Sequence, residues 1–453
     1  MYLAIDIGAS SGRHIIADIV GGKLFTKEIY RFPNGPKRRE DGMLYWDHER
    51  LFQEVKNGLK EAKTQGIKVD YVAIDTWGVD YALLDENDNI IGDLRCYRDE
   101  RGKRAAEKLH EIISFAWLYE RTGIQFAPLN TIYQLYDDLL SGKLGSAKTM
   151  LMLPDYLNFL LTGIKKQEYT NGTTTGLVNA VTHEWDEGIL AKLGIPSSIL
   201  LPLTQPGSVV GPFSKEIEKE LGYSATVLLP ATHDTASAII AAPIRFGEAY
   251  ISSGTWSLLG VEVERCHNDP DAMKFNYSNE GNTNFTFRFQ KNIVGLWMIQ
   301  QVRHELGDKY SFSEISSMAS KSPTEKVMDV TDECFLAPRS MIEEIKKKIG
   351  DVPLGELAYS LYRSLALCYR DCLKQLEQAT GSKFETLHIV GGGSNNALLN
   401  EMTAKECGIK VYAGPSEATA IGNILMQLIA TKTIKNVEEG RALVQKSFQI
   451  SEI

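Results

Sequence analysis

Apolar and polar positions along the chain fall into short runs that predict strands and helices in a repeating order. Tyr2-Leu3-Ala4-Ile5-Asp6-Ile7 is almost continuously apolar, the pattern of a buried strand. Gly8-Ala9-Ser10-Ser11-Gly12 follows with very little side-chain bulk and reads as a tight turn. Arg13 to Val20 resumes a strand, and Gly21-Gly22 predicts a hairpin into the strand from Lys23 to Arg31. Leu51, Phe52, Val55 and Leu59 then recur at helical spacing behind Asp47, a suitable N-cap. "VDYVAIDTWGVDYALLDENDNIIG" predicts strand, glycine turn, strand, an Asp/Asn-rich turn and a third strand, with Asp75 ending its strand as Asp6 does. Helical patterns cover residues 104 to 122 and 130 to 141, and Pro154 stands in the first turn of another helix. "EYTNGTTTGLVN" reads as a hydroxyl-rich loop, and "ATVLLPATHDTASAIIAAP" as a buried strand running into a helix.

Around Pro243 to Gly247 the pattern starts over. "EAYISSGTWSLLGVEVE" repeats the opening: apolar strand, Ser/Gly/Thr turn, apolar strand. A long helical run, "LGELAYSLYRSLALCYRDCLKQLEQATG", leads to the strand "TLHIV", then Gly391-Gly392-Gly393 and a helix from about Asn395. Asn436 and Glu439 have capping-box spacing ahead of the last helix. The repetition predicts a duplicated α/β domain, residues 1–243 and 244–453, with a ligand cleft between the copies.

The length of 453 residues exceeds one ordinary core and agrees with two domains. A net charge of −9 argues against nucleic-acid partners and an anionic membrane surface. No apolar stretch is long enough for a membrane span, and Asp6 interrupts the only N-terminal hydrophobic run, so the expected compartment is the cytoplasm. The six cysteines are scattered, with Cys368 and Cys372 one helical turn apart, which fits reduced structural thiols. No His-x-x-x-His or Cys/His cluster points to zinc.

Three stretches carry candidate chemistry. The first turn has neither the Gly-x-x-x-x-Gly-Lys-Ser/Thr loop nor the helix that a dinucleotide fingerprint requires. It reads equally as an ordinary hairpin or as a turn whose backbone N–H groups approach an anion, with Asp6 placed for a hydrated divalent cation. Thr232-His233-Asp234-Thr235 lies where a strand becomes a helix. Asp234 is expected to N-cap that helix, with a low pKa from the helix dipole, and is at the same time a candidate base. A positioned carboxylate suffices for phosphoryl transfer, whose loose transition state depends mainly on alignment and charge neutralisation. Gly391 to Gly393 would give a ligand backbone access at a helix start. Trp77, Trp256 and Trp297 each adjoin or closely follow a glycine turn, where they serve either the core or a sugar ring.

"IDIGASSGR", "IDTWGVD", "PDYL", "EYTN", "THDTASA", "SSGTWS", "KNIVGLW", "IVGGGSNNALLN" and "GPSEATAIGN" stand in the order and spacing of the FGGY carbohydrate kinases, which the chain resembles from residue 3 to its last helix. Two departures from the wider family pattern, Asp6-Ile7-Gly8-Ala9 for Asp-x-Gly-Thr and Tyr97-Arg98-Asp99 for the Gln-Asp stretch, speak against glycerol or xylulose as acceptor. The resemblance implies two ribonuclease-H-like domains of the actin/hexokinase ATPase type closing around ATP, Mg²⁺ and a sugar. It implies Asp234 as proton acceptor, with His233, Thr235, Gly78 and Asn292 on the sugar. Ala9, Ser10, Ser11, Gly12, Arg13, Thr255, Gln300 and Gly392 would line the nucleotide, and Asp6 would hold hydrated magnesium. The acceptor it implies is L-rhamnulose, phosphorylated at O1. L-fuculose or another ketose, a non-catalytic sugar sensor and an actin-like ATPase remain alternatives, and the protein is expected as a monomer or homodimer.

Overall fold

The computed structural model describes residues 1–336 and 338–453 and divides into two compact units. The first contains residues 1–241, 263–288 and 419–447; the second contains 242–262, 289–418 and 448–453.

The sheet of the first unit is built from β1 (Tyr2–Ile7), β2 (Ser11–Val20), β3 (Lys23–Pro33), β4 (Tyr71–Thr76), β5 (Val209–Pro212) and β6 (Thr226–Leu228), in the order β5-β6-β4-β1-β2-β3. β1 pairs antiparallel with β2 and parallel with β4, in a register that sets Asp6 opposite Asp75. The side-chain alternation of the two central strands divides labour between the faces. Leu3, Ile5, Ile7, Val72 and Ile74 belong to one apolar core with Leu51, Val55 and Leu59 of the helix His48–Thr64 and Leu157 and Leu161 of the helix Leu153–Thr162. The opposite face carries Ala4, Asp6, Ala73 and Asp75, small or acidic. There the helix Ala418–Ala430 comes close enough for Asn423 Nδ2 to donate to Ala73 O (3.2 Å) and Asp75 Oδ2 (2.6 Å), and for Gln427 Nε2 to donate to Leu3 O (3.0 Å). Gly422 makes this approach possible. A Cβ at that position would lie 1.7 Å from the Ser237 carbonyl oxygen in the helix Asp234–Ala241.

The second unit repeats the plan. Its strands β7 (Ala249–Ser253), β8 (Trp256–Val263), β9 (Phe287–Val294), β10 (Thr386–Val390), β11 (Lys410–Ala413) and β12 (Ser451–Glu452) run in the order β9-β8-β7-β10-β11-β12. β7 is antiparallel to β8 and parallel to β10, as β1 is to β2 and β4. The helix Leu354–Thr380 ends at Gly381, whose left-handed φ of 67° is a common glycine stop.

Several elements differ from the sequence expectation. The helical pattern over 104–122 is two helices, Arg101–His110 and Phe115–Thr122, because Ser114 caps the second by accepting from Trp117 N. The third strand after "DENDN" is reduced to a bridge between Leu84 and Ile90. "EYTNGTTTG" is not wholly a loop: Tyr169–Thr173 is helical, since Glu168 accepts from Thr170 N and Asn171 N. Asn436 does accept from Glu439 N, but Glu439 reaches Lys435 N rather than closing the box. None of the six cysteines is in a disulfide.

Candidate functional site

In the first unit, residues at strand ends make two neighbouring constellations. The first is the β1–β2 turn. Gly8 N donates to Ser11 O and Asn34 N to Ser10 O, both at 2.9 Å, so the turn is braced from within and from the end of β3. Arg13 donates through Nε (2.9 Å) and Nη2 (2.8 Å) to one oxygen of Asp6, Oδ2. Gly12 is a packing glycine: a Cβ there would stand 2.1 Å from the Phe32 ring. Asp75, the partner of Asp6 across the sheet, is fully buried, and burial together with the Asp6 charge holds its pKa well above the usual carboxylate range.

The second constellation surrounds Asp234. Thr76 N donates to Thr232 O (2.9 Å), which ties the end of β4 to the segment entering the helix. Glu168 Oε2 accepts from Thr232 N (3.2 Å) and Thr232 Oγ1 (2.7 Å), fixing that segment from the other side. Asp234 is the first residue of its helix rather than the cap. Its Oδ1 accepts from Thr235 N (2.6 Å) and Thr235 Oγ1 (3.2 Å) and lies 3.5 Å from His233 Nε2. Every one of these contacts falls on Oδ1, which leaves Oδ2 for another partner. The expected low pKa is overturned. Burial raises it, and the Asp6 charge adds to this, against the lowering effect of His233 and the Thr235 hydrogen bonds.

Gly78 belongs to a strained turn. Val79, which follows it, has φ 69°, a genuine outlier for a β-branched residue. The turn is held by Thr174 Oγ1, which accepts from Val79 N (3.2 Å), and by Thr131 Oγ1, which donates to Val79 O (2.7 Å). A Cβ on Gly78 would meet Thr174 at 3.1 Å. Such stored strain is typical of functional sites. Trp77 is a core residue: its ring packs 4.2 Å from that of Trp46, and both indoles donate to Asp80 Oδ2.

In the second unit, the β7–β8 turn is closed by Gly254 N donating to Trp256 O (2.8 Å). Trp297 N donates to Thr255 O, and Thr255 Oγ1 donates to Gln300 Oε1 at 3.4 Å, so these two sequence-predicted residues meet. Gly391 and Gly393 exist for packing, with added Cβ atoms 2.8 Å from Ser253 O and 1.9 Å from Ser253 Oγ. Gly392 between them would meet nothing within 4 Å and presents open backbone. Asn292 lies on β9, with its Oδ1 buried and unpartnered.

The sequence-predicted Asp6, Asp234 and small-residue turns all lie at the ends of strands or at the start of a helix. Not singled out from the sequence are Glu168, which holds Thr232, and Glu280 and Arg288, which meet at His233 from about fifty residues further along the chain. No local spacing announces them. No group of three or more His, Cys, Asp or Glu side chains among the described residues forms a ready-made metal cage. No helix among them is long and apolar enough to cross a membrane.

Two duplicated sheets, each carrying a small-residue turn after its first strand, match a known architecture. Models of the N-terminal and C-terminal domains of the FGGY family of carbohydrate kinases match residues 1–241 and 249–431, and the chain belongs to that family. It is 42% identical to a rhamnulokinase of Oceanobacillus iheyensis, over 99% of this chain and 97% of that protein. It is 43% identical to a rhamnulokinase of Bacillus subtilis (strain 168), over 99% of this chain and 94% of that protein. Among solved structures, the ligand-bound xylulose kinase from Lactobacillus acidophilus superposes with a TM-score of 0.82 at 18% identity, covering 99% of this chain and 93% of that one. The Plasmodium falciparum glycerol kinase with ADP gives 0.78 at 14% identity, covering 99% and 94%.

Proposed function

We propose that this carbohydrate kinase transfers the γ-phosphoryl group of ATP to O1 of L-rhamnulose, giving L-rhamnulose 1-phosphate and ADP. The observation that carries the reading is its full-length identity of about two residues in five to several rhamnulokinases. The geometry supplies a chemical route. The unengaged Oδ2 of Asp234 accepts the proton of the O1 hydroxyl as that oxygen bonds to the γ-phosphorus and the bond from phosphorus to the β–γ bridging oxygen breaks. A carboxylate with a raised pKa is a better base than an ordinary one, and Thr235 holds its other oxygen in place.

On this reading residues 1–243 bind the sugar, through Gly78, His233, Thr235 and also Asn292 of the following half. Residues 244–453 bind the nucleotide through Thr255, Gln300 and Gly392, with Ala9, Ser10, Ser11, Gly12 and Arg13 turned to its phosphates. Magnesium is a small, strongly hydrated ion that uses one or two carboxylates plus substrate phosphates, so a lone strand-end carboxylate suits it better than a cage. Asp6 would hold it, and the ion would neutralise phosphate charge. Arg13 pairs with Asp6 and aims it. The enzyme would work in the cytoplasm, in keeping with six cysteines that form no disulfide.

A coupled ADP-release assay over a ketose panel tests the substrate. L-Rhamnulose should give the highest kcat/KM. A ketose that adds a hydroxyl at C6 should be about 10²-fold slower, and one inverted at a ring hydroxyl slower still, since an unmatched buried polar group costs more than a bulkier fit. A higher kcat/KM for L-fuculose, D-xylulose or glycerol would move the substrate and leave the family intact. Fast ATP hydrolysis with no sugar present would favour an ATPase.

Gly392 tests the nucleotide half separately. Because an added Cβ meets nothing within 4 Å there, Gly392→Leu should fold normally. KM for ATP should rise roughly tenfold, the effect of about 1.4 kcal/mol, while KM for sugar stays put. Loss of sugar affinity instead would reverse the assignment of the two halves.

A further inference from the structure

Behind His233 lies a buried pair that the proposed chemistry does not use. Glu280 is 6% exposed and Arg288 not at all. Glu280 Oε2 stands 3.1 Å from His233 Nδ1 and 3.1 Å from Arg288 Nη2, and Arg288 Nη2 is 3.2 Å from the same His233 nitrogen. Arg288 is anchored in addition by Nε and Nη2, each 3.3 Å from Gly281 O. Gly281 is itself fixed. Its N–H donates to Thr173 Oγ1 (2.8 Å), and a Cβ there would collide with the Tyr169 ring at 2.5 Å. The pair therefore stands on a rigid floor.

Three polar atoms in a triangle with 3.1–3.2 Å sides cannot all be mutually bonded. If Nδ1 carried a lone pair, that lone pair would face a carboxylate oxygen only 3.1 Å away in a buried site, which is costly. A proton on Nδ1 removes the conflict: both nitrogens then donate to Glu280, and the arginine offsets the buried charge of the carboxylate. Nε2, bare in this form, faces Asp234 Oδ1 at the longer distance of 3.5 Å, where the Asp234 side chain is 30% exposed and the repulsion is weaker, and it is left to accept from a substrate hydroxyl.

We infer that Glu280 and Arg288 are positioning residues: Glu280 takes the Nδ1 proton of His233, Arg288 holds Glu280, and together they set the ring so that Nε2 faces the sugar beside Asp234. This rests on the reading of His233 as a sugar contact. The logic is that of any histidine oriented by a carboxylate at its second nitrogen, and it explains why a buried ion pair is placed here at all.

A double-mutant cycle tests it. Glu280→Gln keeps the shape but removes the charge that selects the Nδ1–H form. It should lower kcat/KM for L-rhamnulose roughly 10- to 100-fold, the scale of losing a charged buried hydrogen bond, with KM for ATP unchanged. In a His233→Ala background the same substitution should cost nothing further. Losses that multiply would mean that Glu280 acts on the fold rather than through His233, and would overturn the inference. A Glu280→Gln enzyme of normal kcat/KM beside a crippled His233→Ala enzyme would overturn it too, leaving the site reading in place. An unimpaired His233→Ala enzyme would sink both.

Since Glu280→Gln leaves a buried arginine and is liable to unfold, nitrogen NMR of the wild-type protein labelled with ¹⁵N-histidine supplies a second measurement. The signal assigned by its absence from His233→Ala should show a proton on Nδ1. A proton on Nε2 with Nδ1 bare would overturn the inference regardless of the kinetics.

Discussion

Asp234→Asn is expected to leave ATP and sugar affinity near wild type while turnover falls by at least ~10²-fold, the lower end for loss of a general base. The amide is nearly isosteric, and its oxygen still accepts from Thr235 N and Oγ1, so the local structure should persist. What disappears is the basicity of the second carboxylate oxygen. The wild-type pH profile carries the same information with a defined sign. Burial, aided by the Asp6 charge, raises the pKa of Asp234, and the ionised form is the active one. Turnover should therefore fall, as pH is lowered, at a higher pH than an ordinary aspartate with its pKa near 3.9 would give. The acid limb should vanish from the residual activity of Asp234→Asn. Turnover within a few-fold of wild type in that variant would remove Asp234 from the role of base.

Gly422→Ala should be the most damaging single-methyl change in the first unit. The added carbon would lie 1.7 Å from the Ser237 carbonyl oxygen, and both atoms belong to backbone or Cβ positions that no rotamer change can move. The helices Ala418–Ala430 and Asp234–Ala241 must then shift apart. Overpacking of this kind costs about 1–3 kcal/mol, or roughly 2–10 °C in the melting of a unit this size. Because the second helix begins with Asp234, kcat should drop along with stability. Calorimetry and steady-state kinetics on the same preparation would show both. A variant with unchanged melting and kcat would mean that the helices have room the structure does not show.

The parts of the molecule legible in the sequence are those specified by neighbours along the chain. The run from Tyr2 to Val20 and its echo from Ala249 to Val263 predict hairpins because the alternation and the small-residue turns are local. Pro154 marks its helix start for the same reason. Errors arose where one side chain changed a local outcome. Ser114 splits one apparent helix in two, and Glu168 turns an apparent loop into a helical turn. The raised pKa of Asp234 is not legible because the sequence displays the helix start but not the burial around it. Glu280 and Arg288 were invisible because their contact with His233 spans about fifty residues of chain and no period connects them.

The first unit is not contiguous in sequence, since residues 263–288 and 419–447 complete it after the chain has already entered the second. The helix that supplies Asn423 to Asp75 and Gln427 to Leu3 O is synthesised more than four hundred residues after β1 begins. On the ribosome, the sheet that holds β1 must wait for this covering helix until the chain has emerged as far as Ala430. Through that interval Ala4, Asp6, Ala73 and Asp75 face water or a chaperone rather than a helix, and the acidic pair stays hydrated. Those two carboxylates, costly to bury at the end, keep the exposed face of a central sheet soluble while it waits.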